Sequence, residues 1–170
     1  MKAGPAANRD FSRVRPMRVE EVAEVSRVIV AAIRSCFTPC YPPEVVEAAV
    51  RGNSPEAVLA RRIKQTDYVL VDDGRIVAMT GLKRNEIGHL FVDPDFAGKG
   101  LGRELVAFAG REFRAAGHGE MIVYASLNAS GFYERCGFQA VGRGSFPVGD
   151  GLELEYISMR TPLDSSGGGR

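Results

Sequence analysis

"DFAGKGLGRE", residues 95–104, sets glycines at 98, 100 and 102 and closes on Arg103-Glu104. Ahead of it, "EIGHLFVDP" (86–94) has the period of two of a strand, and behind it "LVAFAGREFRAAG" (105–117) carries apolar residues at helical spacing. Glycine lets the backbone approach a ligand closely, and a helix N-terminus offers unpaired N–H groups at the positive end of its dipole. Strand, glycine-rich turn and helix in this order predict a phosphate or pyrophosphate seated on backbone amides.

Working outward, the strands before the loop form a meander. "DYVLV" (67–71), "RIVAMTGLK" (75–83) and "EIGHLFV" (86–92) are joined by Asp73-Gly74 and Arg84-Asn85, as antiparallel neighbours are. On the alternating third strand, Glu86, Gly88, Leu90 and Val92 are expected on one face, with Ile87, His89 and Phe91 on the other. Upstream, "SRVRPMR" (12–18) reads as a short strand and Glu20–Arg34 as an amphipathic helix. Two shorter helices follow at about 43–51 and 54–65, the second opened by Ser54-Pro55-Glu56. Downstream come the strand "EMIVYAS" (120–126) and a short helix in "ASGFYERC" (129–136) with Asn128 as its cap. "GFQAVGR" (137–143) and "LELEYISMR" (152–160) then read as strands flanking a loop, "GSFPVGDG" (144–151). This order predicts an α/β (α+β) domain over 13–162, a mixed and mostly antiparallel sheet of about seven strands flanked by helices. The small, polar ends 1–12 and 163–170 are expected to be disordered.

The 170 residues match one domain, with 45% apolar and 25% charged side chains as in ordinary globular proteins. A formal charge of +1 gives no electrostatic argument for nucleic acid or an anionic membrane. No apolar run approaches the roughly 18 residues of a spanning helix, and the N-terminus has no export pattern, so a cytoplasmic location is expected. Cys36, Cys40 and Cys136 are odd in number and irregularly spaced, which argues against a disulfide framework. They also lack the partners of a zinc site, so no metal is expected.

Three anion-binding loops compete for residues 97–102. A P-loop needs Ser or Thr after its Gly-Lys, whereas Lys99 precedes Gly100. Counted from Gly98, the dinucleotide fingerprint falls out of register in Leu101-Gly102-Arg103, and "EMIVYAS" lacks the terminal acid that holds a ribose. The third fits. Ala97-Gly98-Lys99-Gly100-Leu101-Gly102, three antiparallel strands before it and "NASGFYERCGF" (128–138) after it resemble the GCN5-related N-acetyltransferases over nearly the whole chain. That family's loop is Arg/Gln-x-x-Gly-x-Gly/Ala, and Ala97 stands where Arg or Gln is usual.

The resemblance implies an acyltransferase using acetyl-coenzyme A as donor, with its pyrophosphate on Gly98, Lys99, Gly100, Leu101, Gly102 and Arg103. It implies that the strand before the loop splays from its neighbour, that Leu90 offers its amide to the thioester carbonyl, and that Phe91 and Val92 line the pantetheine. Tyr133 matches the tyrosine that protonates the leaving sulfur, and Asn128 a position that holds the pantetheine. Glu86, eleven residues before Ala97, stands at the spacing of a catalytic glutamate, with His89 as rival base because it titrates near neutrality. The acceptor would be gripped by the connection after the first helix and by the last loop, through Phe37, Tyr41 and Phe146. Aromatics and prolines without a charge cluster point to a partly apolar small-molecule amine. A non-catalytic acyl-coenzyme A-binding module is the alternative, and a homodimer stays open.

Overall fold

The computed structural model describes residues 10–163. Seven strands form one sheet in the order β1-β2-β3-β4-β5-β7-β6. They are β1 (Val14–Pro16), β2 (Thr66–Asp72), β3 (Arg75–Lys83), β4 (Glu86–Val92), β5 (Glu120–Ser126), β6 (Gln139–Gly149) and β7 (Leu152–Pro162). Neighbours pair antiparallel except β4 and β5, which run parallel and pair only at Glu86–Ile122 and Ile87–Val123. Beyond that point the two strands part.

Two apolar cores lie on opposite faces of this sheet. One face is covered by α1 (Val22–Cys36), α2 (Pro43–Arg51) and α3 (Pro55–Arg61), the other by α4 (Leu101–Ala115) and α5 (Ser130–Arg135). In α1 the apolar stripe Val25, Val28, Ile29, Ala32, Ile33 is buried, as its spacing of three and four requires. A 3-10 turn, Val19–Glu21, leads into it. The Ser54 hydroxyl accepts from the Ala57 amide at 3.3 Å and Pro55 opens α3, the cap and first turn expected there. This helix stops at Arg61, earlier than 65, because the chain turns directly into β2.

Three local expectations are corrected. "GSFPVGDG" is mostly strand: β6 runs on to Gly149, and the turn is confined to Asp150 and Gly151, both at positive φ. Asn128 does not cap α5, whose N-cap is Ala129 without a side-chain bond. On β4 the alternation breaks at Gly88, since Gly81 pairs with His89 while Leu82 pairs with Ile87. This bulge shifts the parity of every later residue. Ile87, Leu90 and Val92 therefore share the α4 face, and Phe91 packs in the α1 core.

The expected tails fall largely on residues 1–9 and 164–170, outside the described residues. At the described margins, Phe11 meets Phe108 edge-on at 5.8 Å, and buried Leu163 donates its N–H to the Gly119 carbonyl at 2.8 Å.

Candidate active site

The gap between β4 and β5 sets the geometry. Asp93 donates its N–H to the Val77 carbonyl at 2.8 Å, so Phe91 and His89, two and four residues back, also turn their amides toward β3. Leu90 and Val92 turn theirs the other way, into the gap. The bulge at Gly88 produces this phase.

Next to the gap lies a cavity of about 540 Å³. Its lining joins Leu90, Phe91 and Val92 of β4 to the glycine loop and to Asn128, Phe132 and Tyr133 around α5. Gly98 and Gly100 adopt left-handed conformations, φ 77° and 79°, which other residues disfavour. Gly100 is the N-cap of α4, so the amides of Leu101, Gly102 and Arg103 form a first turn without intrahelical acceptors. Beneath them, Asp93 accepts from the Asp95 amide at 3.1 Å and pairs with Arg27 at 3.0 Å, fixing the strand-to-loop corner to α1. Lys99 does not point into the loop: its ammonium lies over the Phe96 ring, 4.7 Å from the centroid.

Tyr133 lines the cavity from a buried position, held edge-on between Phe132 and Phe138. Burial raises its hydroxyl pKa well above the ordinary phenol value, so it keeps its proton. Glu86 begins β4 on the face opposite Ile87, which is the face of α1–α3, and is half-buried. After the bulge His89 and Phe91 share that face. His89 loses its claim as a base: burial, with the Arg61 charge added, pushes its pKa down to about 3.

Of the three aromatics expected to grip an acceptor, only Phe146 is exposed, at 42%. Phe37 and Tyr41 belong to the core. The Tyr41 hydroxyl is fully engaged, donating to the Glu155 carbonyl at 2.7 Å and accepting from the Leu127 amide at 2.8 Å. Phe146 instead joins Tyr124 and Tyr156, with centroid separations of 4.4–5.7 Å, as an aromatic wall on β5, β7 and β6. By register Tyr124 lies two residues beyond Ile122, the partner of Glu86, and on the same face.

A family model described as an acetyltransferase (GNAT) domain matches residues 37–160. The chain belongs to the GNAT acetyltransferases. A GCN5-related N-acetyltransferase from Rhodopseudomonas palustris is similar at 28% identity and TM-score 0.83, covering 88% of this chain and 94% of its own. The PaiA N-acetyltransferase of Thermoplasma acidophilum, solved with coenzyme A, matches at 21% and 0.71 over 88% and 97%. YncA of Salmonella typhimurium, described as a possible acetyltransferase and solved with acetyl-CoA, matches at 18% and 0.60 over 92% and 96%. A search of curated proteins returned no match.

Two features of this GNAT domain escaped the sequence reading. Arg135 lines the cavity with Arg103. Burial raises the pKa of the adjacent Cys136 thiol, and both guanidiniums oppose that shift. They put positive charge where Ala97 supplies none. "FYERCGF" contained Arg135, but only the fold brings it beside the loop. The second is the wall of Tyr124 and Tyr156, whose strands gave no sign that they flank the gap.

Proposed function

We propose that the protein transfers the acetyl group of acetyl-CoA to a primary amine of a small, partly apolar molecule, by direct attack within a ternary complex. The observation that carries this is the continuity of the β4–β5 gap with the cavity ending on the first turn of α4. The residues present fit the donor. The open space above Gly98 and Gly100 admits a pyrophosphate on the amides of residues 98–103, with Arg103 and Arg135 adding charge. Leu90 to Val92 and Asn128 would line the pantetheine arm.

Acetyl-CoA supplies a thioester whose acyl carbon accepts the amine. The Leu90 N–H, turned into the gap, would donate to the carbonyl oxygen as charge grows there, a preorganised contact. A lysine-like amine has a reference pKa near 10.4 and must shed a proton to attack. Glu86 is the candidate to take it, directly or through water, since it is ionisable, half-buried and on the acceptor face. As the carbon–sulfur bond breaks, the nitrogen sheds its second proton to solvent and the Tyr133 hydroxyl gives the sulfur one, regaining it from solvent. Two protons leave the ammonium and one ends on the thiol, so Glu86 releases the net proton. The aromatic wall beside Glu86 suits an apolar acceptor body.

A panel of amines incubated with acetyl-CoA, with products identified by mass, tests the reading. Acetylation of at least one amine well above slow hydrolysis is the expected result; none across the panel contradicts it.

A further inference from the structure

The peptide that joins His89 to Leu90 is gripped along one edge of β4. Pairing with β5 stops at Ile87, and the next residue, Gly88, is the unpaired member of the bulge. Glycine is the most permissive backbone residue, so the chain enters this peptide through the loosest point of the strand. What holds it in place is β3.

Here β3 contributes a side chain as well as its ladder. Thr80 is fully buried and donates its hydroxyl to the His89 carbonyl at 2.9 Å. In register, Thr80 stands opposite Leu90, and Gly81 opposite His89. A carbonyl oxygen has two lone pairs, so the hydroxyl adds to the ladder on that side without displacing it. No peptide is cis among the described residues, and in a trans peptide C=O and N–H point to opposite sides. A His89 carbonyl fixed toward β3 therefore turns the Leu90 N–H into the gap. Thr80 and the Leu90 amide act at the two ends of one peptide plane.

Packing alone gives no reason for an oxygen at this position. Thr80 alternates on its face of β3 with Ala78 and Leu82, both part of the apolar core. Valine has the same branched shape, suits a strand as well, and carries no hydroxyl that must be desolvated. The bond to His89 gives two reasons. It fixes the tilt of the peptide beside the bulge. It also draws electron density toward the carbonyl oxygen, which makes the N–H of the same unit a stronger donor, as linked hydrogen bonds do.

We propose that Thr80 is a positioning residue for acyl transfer, aiming and strengthening the Leu90 N–H that meets the thioester carbonyl. The task given to the Leu90 amide rests on the acetyltransferase reading; the fixing of its peptide by Thr80 does not. Through Thr80, a backbone donor that no substitution of Leu90 removes becomes accessible to mutation.

Thr80→Val keeps the shape and deletes the hydroxyl, whereas Thr80→Ser keeps the hydroxyl. With an amine that the wild type acetylates, the single-turnover rate should fall roughly three- to tenfold in Thr80→Val, the share of an oxyanion contact that a linked hydrogen bond supplies. KM for both substrates should stay within twofold, and Thr80→Ser should react within twofold of wild type. A wild-type rate in Thr80→Val, or an equal fall in Thr80→Ser, overturns the proposal and leaves acetyl transfer standing.

A second readout needs no amine. In the isotope-labelled wild type, the Leu90 amide proton should move further downfield with acetyl-CoA than with coenzyme A, which has no acyl carbonyl to accept it. That difference should shrink by about a third or more in Thr80→Val and persist in Thr80→Ser. A difference absent from the wild type overturns the proposal without any variant, and one unchanged in Thr80→Val overturns it whether or not an amine reacts. The expected amide response with no amine acetylated would support the Thr80 contact and count against amine acetylation.

Discussion

Arg27 and Asp93 meet at 3.0 Å across the join between α1 and the end of β4, and Asp93 keeps only 4% of its side chain exposed. Its second oxygen accepts from the Asp95 amide, so one carboxylate pins the helix and caps the turn into the glycine loop. Asp93→Ala removes both contacts. The half-exposed Arg27 can turn to water, so the expected loss is about 2 kcal/mol, between that of a lost cap and a broken buried pair. Asp93→Asn keeps the cap and should lose less. Urea unfolding of the two variants checks the order, and equal losses would assign the whole effect to the ion pair.

The charge at the loop is expected to reside in Arg103 and Arg135. Arg135→Gln should weaken binding of coenzyme A by roughly two- to fivefold, in the range of one exposed charge contact. The loss should shrink as salt is added, because solvent-facing charges are screened within about 8–10 Å at ordinary ionic strength. Titration at low and high salt gives both numbers, and a loss independent of salt would assign Arg135 to packing.

Glu86→Gln should lower kcat with little change in the Kd for acetyl-CoA, since it removes a proton acceptor from the far side of the gap. Tyr133→Phe should lower kcat by roughly ten- to a thousandfold, the range for a single proton donor. Its stability should change little, because the Tyr133 side chain is held by aromatic packing. Single-turnover rates separate chemistry from binding in both. Wild-type chemistry in either variant would remove that residue from the mechanism.

The low pKa of His89 has a consequence for acid stability. The folded state resists protonation of this ring down to about pH 3, while the unfolded chain takes the proton near its ordinary pKa of about 6.5. Below that value the unfolded state binds more protons, so stability falls as pH drops from 6.5 toward 3. His89→Gln should flatten this slope. Denaturant midpoints at about pH 7, 5.5 and 4.5, which sample the upper part of that window, measure it. Equal slopes in variant and wild type would show that His89 is protonated in the fold.

Much of this was legible because two signals agreed locally. Glycines at 98, 100 and 102 after an alternating strand predict an anion site, and the structure sets two of them at positive φ where that reading needs them. The Gly88 bulge was not legible: alternation assumes one residue per pleat, and an inserted residue shows only through its partner strand. That phase error hid which side Leu90 and Val92 occupy. Phe37 and Tyr41 looked available because they follow α1 among prolines, yet Tyr41 finds backbone partners 86 and 114 residues away in sequence.

The central claim, that backbone amides at the start of α4 hold the donor's pyrophosphate, is tested most directly by calorimetric titration of acetyl-CoA into wild type and Gly100→Val. Gly100 has φ 79°, and a Cβ added there would meet nothing within 4 Å. Valine therefore strains the backbone and enters the ligand's space without striking the protein. Wild type should bind one equivalent, and the variant at least tenfold more weakly, a difference of about 1.4 kcal/mol or more. Equal affinity in the two proteins would put the anion elsewhere and contradict the account.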